Sequence, residues 1–263
     1  MKLSRSQSAF SLVELSIVLV ILGLLVGGVL SGQSLIRAGE LRAVSTEITR
    51  YHTAVYTFRD KYFAMPGDMA NATSFWGNAD TGANGGECAA PLTNAGTGTQ
   101  TCNGNGNGMF DWGPEERRVW QHLANAGLIE GRYSGIGPEM VAGSNVPASK
   151  LANNSYRYLP EVPLYGKTAI SNALRIGRIS SGYFGNDEGI LKAEEARNID
   201  VKSDDGLADS GKLFSTCGAD FSNFATTPYT CLGCTTVHWG ATTGGSYILS
   251  DTNKSCAMSS LLN

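Results

Sequence analysis

The chain has 263 residues, 42% of them hydrophobic and four of them tryptophan, which excludes a disordered chain and is enough to bury a core. Its net charge of −3 gives no sign of a nucleic-acid partner, while 33 glycines and only 16% charged residues point to loops and short strands.

Lys2 and Arg5 are the only charges ahead of an apolar run that opens at Phe10. From Leu15 to Ser31 no charge occurs, and these roughly 17 residues, at about 1.5 Å of rise each, are just long enough to cross a membrane core as a helix. Phe10 to Val13 lengthen the run comfortably. Basic residues on the amino side keep the leader in the cytoplasm and send the remainder outward. A secretory signal peptide fits less well, because such cores are shorter and Val29, Leu30 and Ser31 make a poor small-residue cleavage pattern. Glu14 is the anomaly in this run. A charge at the centre of a spanning helix costs about 2.5–3.5 kcal/mol, less near an end, and a plain anchor gains nothing from it. Gly23 with Gly27, and Gly28 with Gly32, have the spacing that lets membrane helices approach closely, although glycine is common in such helices anyway.

The stretch SAFSLVELSIVLVILGLL resembles the amino terminus of type IV pilins and of the pseudopilins of type II secretion, and the resemblance runs from Ser8 to about Tyr62. It implies that prepilin peptidase removes a leader, residues 1–9, by cutting between Ala9 and Phe10. It further implies that the new amine on Phe10 is methylated and that Glu14 is kept for assembly. Ala9 stands where this family usually has glycine. The resemblance also accounts for the anomaly: in a filament, the Glu14 carboxylate of one copy meets the cationic amine at Phe10 of a neighbour. Truncating one partner of such a buried pair typically costs about 3–5 kcal/mol, enough to decide whether a subunit enters the assembly.

Beyond the span, Leu41, Val44, Ile48, Tyr51, Val55, Phe58 and Tyr62 recur at steps of three and four and form one apolar stripe, with Arg42, Glu47, Arg50, Arg59 and Asp60 expected mostly off it. A short, aromatic-rich stripe suits packing on a sheet better than a coiled coil. Pro66 and Gly67 in MPGD end the helix, which is expected from Phe10 to Ala64. The spacing thus divides the chain into a span over 10–32, an amphipathic continuation over 33–64 and a globular head over 65–263. Within the head, a short helix starts near Pro114 and stops at Gly127, and SYRYLPEVPLY, ALRIGRISSGYFG and GGSYILS are the candidate strands. The expected fold class is α+β: a long amino-terminal membrane-spanning helix packed by its second half on an antiparallel sheet head, the lollipop form of pilins.

All six cysteines, Cys88, Cys102, Cys217, Cys231, Cys234 and Cys256, lie beyond the span, and an even number in an oxidising compartment reads as disulfides. Loop locality favours Cys88 with Cys102, leaving four to staple the carboxyl end as pilins often do. The CLGC stretch is a weak zinc-knuckle or redox candidate, with no matching second pair and only His238 nearby. In CNGNGNGMFDWGPEE, Asn103, Asn105 and Asn107 alternate ahead of Gly108, and Asp111 follows, so these four are candidate ligands for Ca²⁺ in a loop of EF-hand type. A bare Gly/Asn turn cluster is the alternative. A third cluster holds Asp200, Asp204, Asp205 and Asp209, for which a solvated turn at Asp205-Gly206 opening a hairpin is favoured over acid–base or calcium chemistry.

His52 and His122 have no Ser or Cys nucleophile in a recognisable setting, and no phosphate loop or dinucleotide fingerprint occurs, so the chain is not expected to be an enzyme. The reading is a structural subunit, a minor or tip-located one given its large head, of a type IV pilus or a type II secretion pseudopilus. Its partners are prepilin peptidase, other pilin or pseudopilin subunits and the bacterial inner membrane, which it crosses once with the head in the periplasm or on an extracellular filament. The alternatives are an anchored periplasmic binding protein or adhesin and, further off, an anchored hydrolase.

Overall fold

The structure is a computed structural model that describes residues 11–79, 94–111, 113–137, 140–151, 154–162, 170–178, 189–217, 233–236 and 245–262. It divides into two units, Met1–Arg42 and Ala43–Asn263. One helix, α1 (Leu12–Tyr62), contributes residues to both.

In the first unit every Leu, Val and Ile from Leu12 to Ile36 is at least half exposed. A continuous exposed apolar surface of this kind is unstable in water, and the segment is long and apolar enough to cross a membrane. Charged residues resume at Arg37 and Glu40, which form an ion pair at 3.1 Å.

The second unit is α+β. It holds the carboxyl-terminal part of α1 together with α2 (Ala72–Trp76), α3 (Pro114–Asn125), β1 (Asn154–Val162), β2 (Ile170–Arg178), α4 (Ala193–Ser203), β3 (Leu213–Cys217) and β4 (Cys256–Leu261). The four strands form one antiparallel sheet in the order β1-β2-β4-β3, with Tyr156 opposite Ile176 and Arg175 opposite Ser259.

Local chemistry sets the helix ends. α1 stops where Phe63 turns to a φ of 53°, and Pro66 follows with Gly67 at a φ of 87°. A Cβ on Gly67 would strike the Glu115 carbonyl and the Val119 side chain. α3 opens on Pro114, with Glu115 and Glu116 in a first turn that favours acids. It closes on Gly127 at a φ of 73°, with the Leu128 N–H on the Leu123 carbonyl (3.0 Å) and the Gly127 N–H on the Ala124 carbonyl (2.9 Å), the paired bonds of a Schellman ending.

The core is aromatic. Tyr51 of α1 meets Trp120 of α3 and Tyr156 of β1 edge-on, each at 5.0 Å, and Tyr158 lies 5.0 Å from Trp120 and 4.9 Å from Phe110. The predicted stripe is thus buried at Val44, Tyr51, Val55 and Phe58. Glu47, expected off the stripe, is instead only 7% exposed. Its carboxylate accepts the Tyr156 hydroxyl at 2.6 Å, the Ser149 hydroxyl at 3.3 Å and the Lys150 N–H at 3.4 Å, and these donors are what make burial of an acid tolerable.

Two further expectations are corrected, and three elements occur that the sequence pattern does not predict. GGSYILS forms no strand among the described residues: Tyr247 makes only an isolated bridge to Thr235. β3, β4 and α4 were not anticipated, because LFSTC and CAMSSL are too short and too polar to show alternation. The turn at Asp205-Gly206 joins α4 to β3 and so does not open a hairpin.

Arg157 of β1 and Glu116 of α3 tie the sheet to the helix. The guanidinium, 1% exposed, places Nε and Nη2 on Glu116 Oε2 at 3.1 and 2.9 Å, and Arg117 approaches the other Glu116 oxygen at 3.5 Å. Arg157→Ala is expected to lower the unfolding free energy by about 3 kcal/mol, because it takes the nearer cationic partner from a buried carboxylate and leaves the longer approach of Arg117. Chemical denaturation of the detergent-solubilised protein checks this, and the double variant Arg157→Met/Glu116→Leu should lose clearly less.

Candidate functional site

Glu14 lies in the first turn of α1 and is engaged locally. The Val13 N–H donates to Ser11 Oγ at 3.3 Å, and the Ser11 N–H donates to Glu14 Oε2 at 2.9 Å. Together these bonds cap the start of α1 and satisfy helix-end donors that an apolar environment would otherwise leave bare. Ser16 and Ser34 turn their hydroxyls back on the Val13 and Ser31 carbonyls, each at 2.8 Å, so these two hydroxyls are also spent internally. Around Gly23, Gly27, Gly28 and Gly32 an added Cβ would meet nothing within 4 Å, so the chain itself leaves those positions open. Ala9 and Phe10 lie outside the described residues.

The Gly/Asn loop is organised by acids from elsewhere in the chain. One Asp68 oxygen accepts the N–H groups of Gly106 at 2.6 Å and Asn107 at 3.1 Å, and the other accepts that of Gly108 at 2.7 Å. Glu115 takes the N–H groups of Asn105 at 2.9 Å and Asp111 at 3.0 Å. Gly104 packs on the backbone of Asp68 so closely that any Cβ would overlap it. Asn172, held at a φ of 63° within β2, closes the far side: its amide oxygen accepts the Phe110 N–H at 3.0 Å, and its nitrogen donates to the Gly108 carbonyl at 2.9 Å. The side-chain oxygens of Asn103, Asn105 and Asn107 accept the N–H groups of Thr73, Asn107 and Met109, while Asp111 receives the side-chain amides of Asn105 and Asn107. Burial is the main reason that Asp68 and Glu115 both titrate above the ordinary carboxylate range, with the neighbouring acids adding to it.

The second acidic cluster brings carboxylate oxygens of Asp200, Asp204 and Asp205 within 4.8 Å of one another. Each is occupied: Asp200 accepts the Tyr247 hydroxyl at 2.7 Å and the Gly206 N–H at 3.1 Å, Asp204 accepts the Lys212 and Leu213 N–H groups, and Asp205 accepts the Ser210 hydroxyl at 2.6 Å and the Leu207 N–H at 2.9 Å. Burial pushes Asp200 up to about 6. Asp209 takes the Gly245 N–H at 2.8 Å. These acids hold the α4–β3 connection and the segment around Tyr247 in place.

Cys234 and Cys256 form a disulfide that fastens residues 233–236 to the start of β4. Within CLGC, the Cys234 sulfur is therefore committed to a bridge and not to a zinc knuckle. Cys102 is disulfide-bonded as well. Cys88 and Cys231 lie outside the described residues, and Cys217 ends β3 with its backbone opposite Cys256.

His122 is fully buried, with Nδ1 accepting the Gly67 N–H at 2.9 Å and Nε2 against the Thr101 hydroxyl at 2.9 Å, so both ring nitrogens are used. Burial, aided by Arg118, lowers its pKa to about 3. His52 is lowered to about 4, mainly by burial, and its Nε2 has no hydrogen-bond partner among the described residues. His238 lies outside them.

Residues 4–30 match the prokaryotic N-terminal methylation motif, the prepilin-type signal of type IV pilins and pseudopilins. No curated protein and no solved structure matches the chain. That signal and the apolar part of α1 together indicate a membrane-anchored, single-pass chain.

Asp68→Ala leaves the Gly108 N–H without its acceptor, whereas the Gly106 N–H keeps the carbonyl of residue 68 and the Asn107 N–H keeps Asn105 Oδ1, and because these three residues are exposed the second unit should lose only about 1–2 kcal/mol. Denaturant midpoints, with limited proteolysis at 103–111, measure the loss.

For His122 the folded pKa of about 3 lies below the unfolded 6.5, so between those values the unfolded chain binds a proton that the folded chain refuses. Its contribution is complete above pH 6.5 and is lost as pH falls toward 3, at up to about 1.4 kcal/mol per pH unit. His122→Gln, able to accept from Gly67 and donate to Thr101, should flatten the pH dependence of stability by about that slope.

Proposed function

We propose that the chain is a structural subunit of a type IV pilus or of a type II secretion pseudopilus, anchored in the inner membrane and assembled through α1. The observation that carries this reading is the prepilin-type signal over residues 4–30, which runs into a helix whose Leu, Val and Ile side chains from Leu12 to Ile36 are exposed. Prepilin peptidase cuts between Ala9 and Phe10, the amine of Phe10 is methylated, and the mature chain begins one residue before Ser11, which caps α1 together with Glu14. Glu14 then serves twice: within its own chain it accepts the Ser11 N–H, and in the filament its charge meets the Phe10 amine of a neighbour. Gly23, Gly27, Gly28 and Gly32 are the points where neighbouring helices come closest, filling the open space beside each glycine.

The head, residues 65–263, lies in the periplasm or on the extracellular part of the filament, where disulfides persist. Its size fits a minor or tip-located subunit better than a bulk one. No catalytic role is assigned: His122 has both nitrogens engaged in the core, and the carboxylates of the two acidic clusters are tied to backbone and hydroxyl donors.

Glu14→Ala is expected to leave leader removal and membrane insertion intact while abolishing incorporation into filaments. Glu14→Gln, which keeps an acceptor for Ser11 but not the charge, should fail in the same way. Mass spectrometry of the mature chain and immunodetection in sheared filaments read the two steps. An intact leader or a start near Gly32 would contradict the processing, and normal incorporation of either variant would refute the assembly role.

A further inference from the structure

The end of α1 carries an unusual residue. Phe63 holds a φ of 53°, a conformation that bulky side chains rarely adopt, yet its ring is 93% exposed. Strain kept for packing would be accompanied by burial, and glycine would end the helix at that position without strain. An aromatic ring presented to solvent at the expense of backbone conformation points to a surface task.

The surroundings supply the rest of a site. Phe63 borders an open groove of about 1190 Å³ whose walls include Tyr56, Tyr62, Arg59, Asp60 and Asn71. Part of the opposite lining is Gly106 and Gly108, held by the Asp68 clamp, so no side chain rises there. Arg59 and Asp60 are exposed and make no side-chain hydrogen bond or ion pair with any described residue. Asn71 is likewise exposed. Phe75, 56% exposed, stands behind Tyr62 at 5.3 Å and extends the aromatic surface.

We propose that this groove binds a neutral oligosaccharide. A sugar ring has an apolar C–H face that lies flat on an aromatic ring, and a rim of hydroxyls that both donate and accept. The groove offers rings, a guanidinium that donates, a carboxylate that accepts and an amide that does both. Its two exposed charges, on Arg59 and Asp60, are of opposite sign, and the third lining charge, Asp68, is taken up by three backbone N–H groups, which favours a neutral ligand over a phosphate or a nucleic acid. An extended peptide needs a free strand edge or apolar slots for its side chains, and this groove is lined mainly by the end of α1, the turn after it and the glycine loop, while its strand residue, Asn172, belongs to β2, which lies between β1 and β4 and offers no free edge. All of the lining residues belong to the second unit, so the proposal does not depend on assembly through α1.

The test uses the full chain in a detergent without a sugar headgroup, with chitotriose and maltohexaose as probes, read by saturation-transfer NMR and calorimetry. At least one probe should bind, and Phe63→Ala should weaken it on the order of tenfold, whereas Phe63→Tyr should retain it. Phe63→Gly should lose binding while raising the thermal midpoint, since it removes the ring and relieves the backbone together. Glu14→Ala should bind like the wild type, which separates this site from the assembly reading. The proposal is overturned if neither sugar binds the wild type, if Phe63→Gly binds as well as the wild type, or if the ring proves to drive self-association that sugar does not affect.

Discussion

The contact of Tyr51 with Trp120 and Tyr156 is the one on which the second unit depends, because it joins the only part of α1 that has a core to the helix and the strand that complete that core. Tyr158 and Phe110 extend the cluster, and the buried pair of Arg157 and Glu116 locks α3 to β1 beside it. Aromatic side chains suit this junction, since each buries a large area at the cost of few rotatable bonds and a tyrosine can place its hydroxyl on a nearby acceptor. Tyr156 does so on Glu47, and Tyr158 on the Tyr51 carbonyl at 3.3 Å.

α1 carries two glutamates that meet the same electrostatic difficulty in different ways. Glu47 is surrounded by protein, which supplies two hydroxyls and a backbone N–H. Glu14 has apolar neighbours and one N–H from its own first turn, so within a single chain its charge has no cationic partner among the described residues. A carboxylate in that position is tolerable because the cost of a charge falls toward the end of a membrane helix.

In the second unit, acids take over the work of ordering loops. Asp68 and Glu115 gather the N–H groups of a glycine-rich segment that has little side chain of its own to pack, and Asp200, Asp204 and Asp205 do the same after α4. The glycines are the counterpart of this arrangement: Gly106 and Gly108 have positive φ, and Gly104 lies too close to the Asp68 backbone for any side chain. The groove beside Phe63 takes its smooth lining from the same loop.

From the sequence alone one obtains whatever depends on near neighbours along the chain. The apolar span, the three-and-four stripe through Tyr51 and Phe58, the start of α3 at Pro114 and its stop at Gly127 are local patterns, and Ser11 with Glu14 is a capping-box spacing that was equally open to reading. The tertiary structure alone decided that Glu47 is buried, that Asp68 is the acceptor for the Gly/Asn loop, that CAMSSL is an inner strand between β2 and β3, and that Cys234 joins Cys256. Each of these pairs groups far apart in the chain, Asp68 and Gly106 by 38 positions and Glu47 and Tyr156 by 109. Hydropathy and turn chemistry act over a few residues, whereas a buried acid is stable only where the folded chain happens to deliver its donors.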